Sequence, residues 1–273
     1  MTQCITRTHA NMIIHIVLLL SAQVWISLTI GTWPSPFWLL WGDSIWRDGP
    51  DVGDEGVGSA RDRWLSFRDN ALRRAQSRGP LFPLTAFMQH GVVWSKTAET
   101  ISMWSKPKGP KATLQDFCNE VLSFFLAGTG LQELYIQMEL MNDEKWKALA
   151  AASHLARQEI KLLPDARLIA FGHLYGAAAL EMTEGRAIFW LRNPEETTQE
   201  ATFSISELLE LPVAWQKSHW SMTPLQLEGC PAAPQTEKSE VSSSELVSIL
   251  QPALAVQAWT VLRKDPLTHS QPE

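Results

Sequence analysis

The sequence predicts an α/β protein, four strand-and-helix units with parallel strands followed by an antiparallel β-sandwich domain. Strand-like and helix-like segments alternate up to about residue 165, which implies parallel strands joined by crossover helices. After Pro164 the texture changes to short strands and hairpin turns with no long helix, as in a β-sandwich. Length limits the first part. A complete (β/α)8 barrel takes about 250 residues, so the 273-residue chain holds about half a barrel ahead of its β-rich part.

The elements follow in order. "VWISLTIG" and "FWLLWG" read as strands, each followed at once by Pro, Gly or acidic residues. "RDRWLSFRDNALRRAQSRG" (Arg61 to Gly79) is an amphipathic helix that stops at glycine. "PLFPLTAFMQHGVVW" is loop and strand, because its two prolines forbid a helix interior. "LQDFCNEVLSFFLAGTG" is a helix with a glycine stop, and "LQELYIQ" is a short strand. "NDEKWKALAAASHLARQEIKLL" is a long helix capped by Asn142 or Asp143. Beyond it, "ALEMTEGRAIFWLRNP" is a hairpin turning at Thr183 to Gly185, "EATFSISELLEL" alternates in part, and "QAWTVLRKDP" is the last strand. Residues 229–245, "GCPAAPQTEKSEVSSSE", are polar and read as a solvated loop, and 266–273 as a tail.

Composition narrows the function. A net charge of −6 and a pI near 5.7 argue against nucleic acid as a partner. Thirteen tryptophans stand against two tyrosines. Indoles serve core packing first, and sugar stacking second. Cys4, Cys118 and Cys230 are odd in number and scattered, so they suggest neither a metal site nor a disulfide framework, and the redox compartment stays open. No phosphate loop, zinc spacing or Ser-His-Asp order occurs, so no cofactor or metal is expected.

The N-terminus has two readings. Met12 to Ile30, "MIIHIVLLLSAQVWISLTI", would extend about 28 Å as a helix, close to the roughly 30 Å of a bilayer core, and could anchor the chain in a membrane. The favoured reading splits it into an apolar segment within residues 1–23 and a buried strand from Val24, because the second half is β-branched and aromatic and runs into Gly31 and a Trp-Pro loop.

The densest chemistry lies in "WGDSIWRDGPD", Trp41 to Asp51. Its acids, Arg47 and its indoles follow an apolar strand, where parallel-strand folds place reactive groups. The plainer reading is that Asp43, Asp48, Asp51 and Asp54 cap turns and the next helix.

Taken together, "GTWPSPFWLLWGDSIWR", "RWLSFRD", "GPLFPLTAFMQHGVV", "GTGLQELYI", "WKALAAASHLAR" and "IFWLRNP" resemble the C-terminal part of a bacterial protein group labelled "enterotoxin" and related to the melibiase (α-galactosidase) clan of glycoside hydrolases. The resemblance runs from about Val24 to Pro194. It implies that residues 24–165 are the last four βα units of the barrel and 166–265 the β-sandwich.

In that clan a Trp-Arg pair precedes the aspartate that acts as general acid/base. Trp46-Arg47 followed by Asp51, W-R-x-x-x-D, implies that role for Asp51, with Arg47, Asp43, Trp33 and Trp41 or Trp46 contacting sugar. A retaining glycosidase also needs a nucleophilic carboxylate about 5–5.5 Å from the acid/base. In the clan it ends the fourth strand, yet Met1 to Gln23 contains no Asp or Glu. The expectation is therefore a glycoside hydrolase-like chain, ancestrally hydrolysing an α-glycoside with retention and inactive without the nucleophile-bearing half. A non-enzymatic carbohydrate-contacting or membrane-tethered protein is the alternative. The resemblance suggests an extracellular or cell-envelope location. Three further residues read as structural: Asp69 as a salt-bridged helix residue beside Arg68, His90 as a satisfied histidine, and Glu133 at the core rim.

Overall fold

A computed structural model describes residues 29–31, 44–46, 55–78, 83–95, 112–232 and 239–264. Among these, strands β1 (Thr29–Gly31), β2 (Ser44–Trp46), β3 (Phe87–Trp94) and β4 (Leu131–Ile136) form a parallel sheet in the order of the chain. Helix α1 (Ala60–Arg78) links β2 to β3, α2 (Leu114–Phe125) lies between β3 and β4, and α3 (Asp143–Gln158) follows β4.

Local chemistry fixes the helix starts. Asp62 accepts from the Ser59 backbone while Ser59 Oγ accepts from the Asp62 N–H, a reciprocal cap at the head of α1. Thr113 and Asp116 do the same for α2. Asn142 caps α3 through the Lys145 N–H.

The parallel sheet is not uniform. The register of β3 against β4 shifts between Gln89 and Val92. A Cβ on Gly91 would lie 1.6 Å from the Glu133 carbonyl oxygen, so only glycine permits this approach.

Beyond α3 the chain is antiparallel. Strands β5 (Arg167–Phe171), β6 (Leu174–Glu181), β7 (Arg186–Arg192), β9 (His219–Pro224), β10 (Ser239–Ser242) and β12 (Val256–Arg263) form a six-stranded sheet, ordered β10-β9-β12-β7-β6-β5. A second sheet pairs β8 (Gln199–Ser204) with β11 (Leu246–Gln251). The period of two sorts side chains between two cores. Tyr175, Ala177, Ile188, Trp190, Val256 and Ala258 face α2 and the parallel sheet. Ala178, Phe189, Leu191, Trp259 and Val261 face Phe203 and Ile249 of the second sheet. With both faces covered, β6 and β7 read in sequence as continuous apolar runs.

Several expectations need correction. "FWLLWG" lies outside the described residues, and the described second strand is Ser44–Trp46, in the stretch read as loop. Ile45 and Trp46 suit a strand and pair with β1 on one side and β3 on the other. Residues 239–242 of the expected polar loop form β10, which pairs with β9 and buries Val241. "EATFSISELLEL" divides into β8 and a short helix α4 (Ile205–Leu209) capped by Ser204. The hairpin turn between β6 and β7 matches expectation. Thr29 and Ile30 lie in a strand, the rest of Met12 to Ile30 is outside the described residues, and no described helix is long and apolar enough to cross a membrane.

The cysteines also depart from the sequence reading. Cys118 of α2 and Cys230, on the segment after β9, form a disulfide with a Cα–Cα distance of 5.8 Å across 112 residues of sequence. No local spacing signals this pair, because packing of α2 against the β-domain brings them together.

Reducing this bond, or replacing Cys230→Ser, should lower unfolding stability by about 2–5 kcal/mol, since a loop this long is closed in the unfolded chain. Chain purified without reductant should show fewer than three reactive thiols under denaturing conditions. Three reactive thiols, with unfolding insensitive to reductant, would contradict the cross-link.

Candidate functional site

Because β1 to β4 are parallel, their C-terminal ends lie along one edge, at Gly31, Trp46, Trp94 and Ile136. Trp46 pairs in register with Gly31 on one side and Met88 on the other. Only its backbone is described. Trp33, Trp41, Asp43, Arg47 and Asp51 lie outside the described residues. The chain is described again at Glu55, whose carboxylate accepts from Asn70 Nδ2 at 2.7 Å and Arg74 Nη1 at 3.1 Å on α1.

Behind this edge lies a buried charged network that sequence reasoning did not foresee. Helix α1 buries Arg61, Asp62, Arg68 and Asp69. Charges out of water persist only when paired and hydrogen-bonded. Arg68 donates to Asp69 Oδ1 through Nε and Nη2, at 3.1 and 3.0 Å, and to Ser123 Oγ at 2.7 Å. Asp69 Oδ2 accepts from the Tyr175 hydroxyl at 3.1 Å and faces Arg192 Nη1 at 3.5 Å. Arg192, at the end of β7, also donates to the Asp62 carbonyl, Ser66 Oγ and the Tyr175 hydroxyl.

A second carboxylate, Glu120 of α2, accepts from Trp64 Nε1 at 3.0 Å and the Val93 N–H at 2.9 Å, with Arg61 Nη1 at 3.8 Å from its other oxygen. Burial pushes its carboxyl up, against the pull of Arg61 and Arg68. Both carboxylates are committed to structural partners and shielded from solvent. They hold α1, α2 and β3 together beneath the strand ends.

Asp69 thus pairs with Arg68 as expected, and also reaches the β-domain. His90 lies in β3 without a described side chain. Glu133 accepts the Tyr135 hydroxyl at 2.7 Å. Arg192, Tyr175 and Glu120 were missed. The one sequence signal was an arginine ending the otherwise apolar "AIFWLR". Among the described residues, no group of three or more His, Cys, Asp or Glu is placed to hold a metal ion.

No protein-family model matches the sequence, and no curated protein matches it. Solved structures do resemble it. A glycoside hydrolase family 27 β-L-arabinopyranosidase from Geobacillus stearothermophilus, in complex with arabinose, aligns at TM-score 0.54 and 10% identity over 88% of this chain and 51% of its own. A candidate α-galactosidase/melibiase from Bacteroides fragilis aligns at 0.52 and 13% identity over 86% of this chain and 47% of its own. The α-galactosidase from Saccharomyces cerevisiae, solved with raffinose, aligns at 0.51 and 10% identity over 86% and 64%. The chain therefore spans from about half to under two thirds of these proteins. At such identity the likeness is one of fold, that of α-galactosidase-type glycoside hydrolases.

The network makes a prediction about the chain's two tyrosines. The bond to Glu133 pushes the Tyr135 phenol up to about 12. Burial pushes Tyr175 up further, with Asp69 acting in the same sense and Arg192 against it. Each folded pKa lies above the unfolded value of about 10, so the stability tied to these phenols is complete below pH 10 and is lost as pH rises, for Tyr135 between about 10 and 12. Absorbance at 295 nm should show no tyrosinate at pH 10.5 in the native chain and two tyrosinates, titrating near 10, in denaturant. A native transition near pH 10 would contradict the assignment.

Proposed function

We propose that residues 24–165 are the C-terminal half of a (β/α)8-type barrel and residues 166–265 its β-sandwich domain, in a glycoside hydrolase-like protein whose reaction is the retaining hydrolysis of an α-glycoside. The observation that carries this reading is order. Parallel strands β1 to β4, with helices after β2, β3 and β4, and then an antiparallel domain, follow the fold of α-galactosidase-type enzymes over most of this chain and about half of theirs. The further assignment to the "enterotoxin"-labelled group rests on the segments quoted above.

In this reading Asp51 is the general acid/base. It follows Trp46 at the end of β2 and precedes Glu55, which is anchored on α1. Arg47 and Asp43 would hold sugar hydroxyls, and Trp33, Trp41 and Trp46 would supply stacking faces. An arginine next to the acid/base would also favour the ionised carboxylate, which the second half of a double displacement requires. The nucleophile would come from barrel strands that these residues do not supply, so the 273-residue chain alone does not complete the first step. The Cys118–Cys230 disulfide supports an extracellular or cell-envelope location, where such bonds persist.

Hydrolysis of aryl α-galactosides by the 273-residue chain should be at background. In a protein that also carries the nucleophile-bearing half, activity should appear, and Asp51→Asn should reduce it by about 10²–10⁴-fold. Clear hydrolysis by the chain alone would refute the divided site. Full activity of the Asp51→Asn protein would move the acid/base role to Asp43, Asp48 or Asp54.

A further inference from the structure

Where α1 meets the β-domain, a cleft of about 360 Å³ opens between the third turn of the helix, the β5–β6 turn at Gly172-His173, and the segment Pro194-Glu195 after β7. Seams of this kind are common places for small-molecule sites. Most charges in the cleft are already matched. Glu55 is held by Asn70 and Arg74, and Glu195 lies 3.5 Å from His173 Nδ1.

Arg73 is the exception. Its half-buried guanidinium lies over the Tyr175 ring, 4.7 Å from the centroid, and donates through Nη1 to Asn70 Oδ1 at 3.2 Å. Among the described residues it forms no ion pair, although neighbouring Arg74 faces the Glu55 carboxylate. The Tyr175 ring and the Asn70 bond together restrict the guanidinium, and among the described residues its other N–H groups meet no acceptor. A planar fork held in this way suits a carboxylate, which it can bind through two parallel hydrogen bonds.

A second donor lies on the cleft floor. Ser66 Oγ accepts from Arg192 at 3.0 Å, and among the described residues its own proton meets no acceptor. Glu195 offers acceptor oxygens at the opposite wall. The same two glutamates set the charge that the cleft tolerates. Glu55 and Glu195 leave room for a single negative charge and disfavour a dianion such as phosphate.

We propose that this cleft binds a small hydroxylated carboxylate, with the carboxylate on Arg73 and the hydroxyl groups on Ser66 and Glu195. The inference does not rest on the glycosidase reading and can fail independently of it.

Isothermal titration of the full chain with D-gluconate, its neutral counterpart D-sorbitol, and inorganic phosphate tests the proposal. Saturable binding of gluconate is expected, at least tenfold tighter than sorbitol and tighter than phosphate. Arg73→Gln should weaken gluconate binding tenfold or more, in keeping with the loss of charge-assisted bonds. Glu195→Gln, a change on a surface segment, should tighten phosphate binding severalfold, and so tests the charge balance even if the Arg73 variant does not fold. Absence of saturable gluconate binding, equal binding of sorbitol, or unchanged binding by Arg73→Gln would each overturn the assignment.

Discussion

Asp69 and Arg192 meet at 3.5 Å with almost no access to water, one on α1 and the other at the end of β7. An isolated charge in such a place would cost several kcal/mol, so each depends on the other and on the groups that complete the cluster. Tyr175, near the start of β6, donates to Asp69 and accepts from Arg192, and Arg68 takes the second carboxylate oxygen. Side chains from α1, β6 and β7 are thus bound into one arrangement with few alternatives. The orientation of the six-stranded sheet against α1 follows from it. So does the cleft above Tyr175, whose walls are the helix on one side and the β5–β6 turn on the other.

Helix α2 extends the same fastening. It lies between the parallel sheet and the β-domain, and its residues from Phe117 to Phe125 are all buried. Asn119 donates to the Leu254 carbonyl and accepts from the Val256 N–H, while the Trp190 indole donates to the Leu126 carbonyl at the other end of the helix. The Cys118–Cys230 bond adds a covalent tie on the same helix. Glu120, two residues beyond Cys118, binds the Val93 N–H near the end of β3. The forces that dock the β-domain therefore also position one of the strand ends along which the sugar site is proposed, which links packing at the seam to geometry at the edge.

Much of the fold was legible because its signals are local. The cap at Asn142, the glycine stop after α2, and the proline-bounded strand before Trp94 each need only a few neighbouring residues. The Arg68–Asp69 pair was legible for the same reason. What escaped depends on long sequence separation. Asp69 and Arg192 are far apart in the chain, as are Cys118 and Cys230, and no period or spacing links either pair. Strand β10 escaped because three of its four residues are polar and Val241 is its one apolar, buried residue. Strand β2 escaped because Ser44 to Trp46 sits among the turn-forming and acidic residues of "WGDSIWRDGPD", and the flanking strands supply its partners. For the proposed site the W-R-x-x-x-D pattern is the signal in the sequence, and the structure describes its Trp46 as the last residue of β2. The buried cluster beneath that end has no sequence motif.

If Asp69, Arg192 and α2 bind the two parts as described, the parallel-strand unit and the β-domain open as one cooperative body. Native-state hydrogen exchange measures this most directly, by comparing the most protected amides of β3 and α2 with those of β6, β7 and β12 as denaturant is raised. The seam predicts that both sets converge on the same opening free energy and the same denaturant dependence. Exchange of β3 and α2 through a separate, lower-energy opening while the six-stranded sheet stays protected would show that the parts are merely adjacent, and would contradict a structure governed by the Asp69–Arg192 seam.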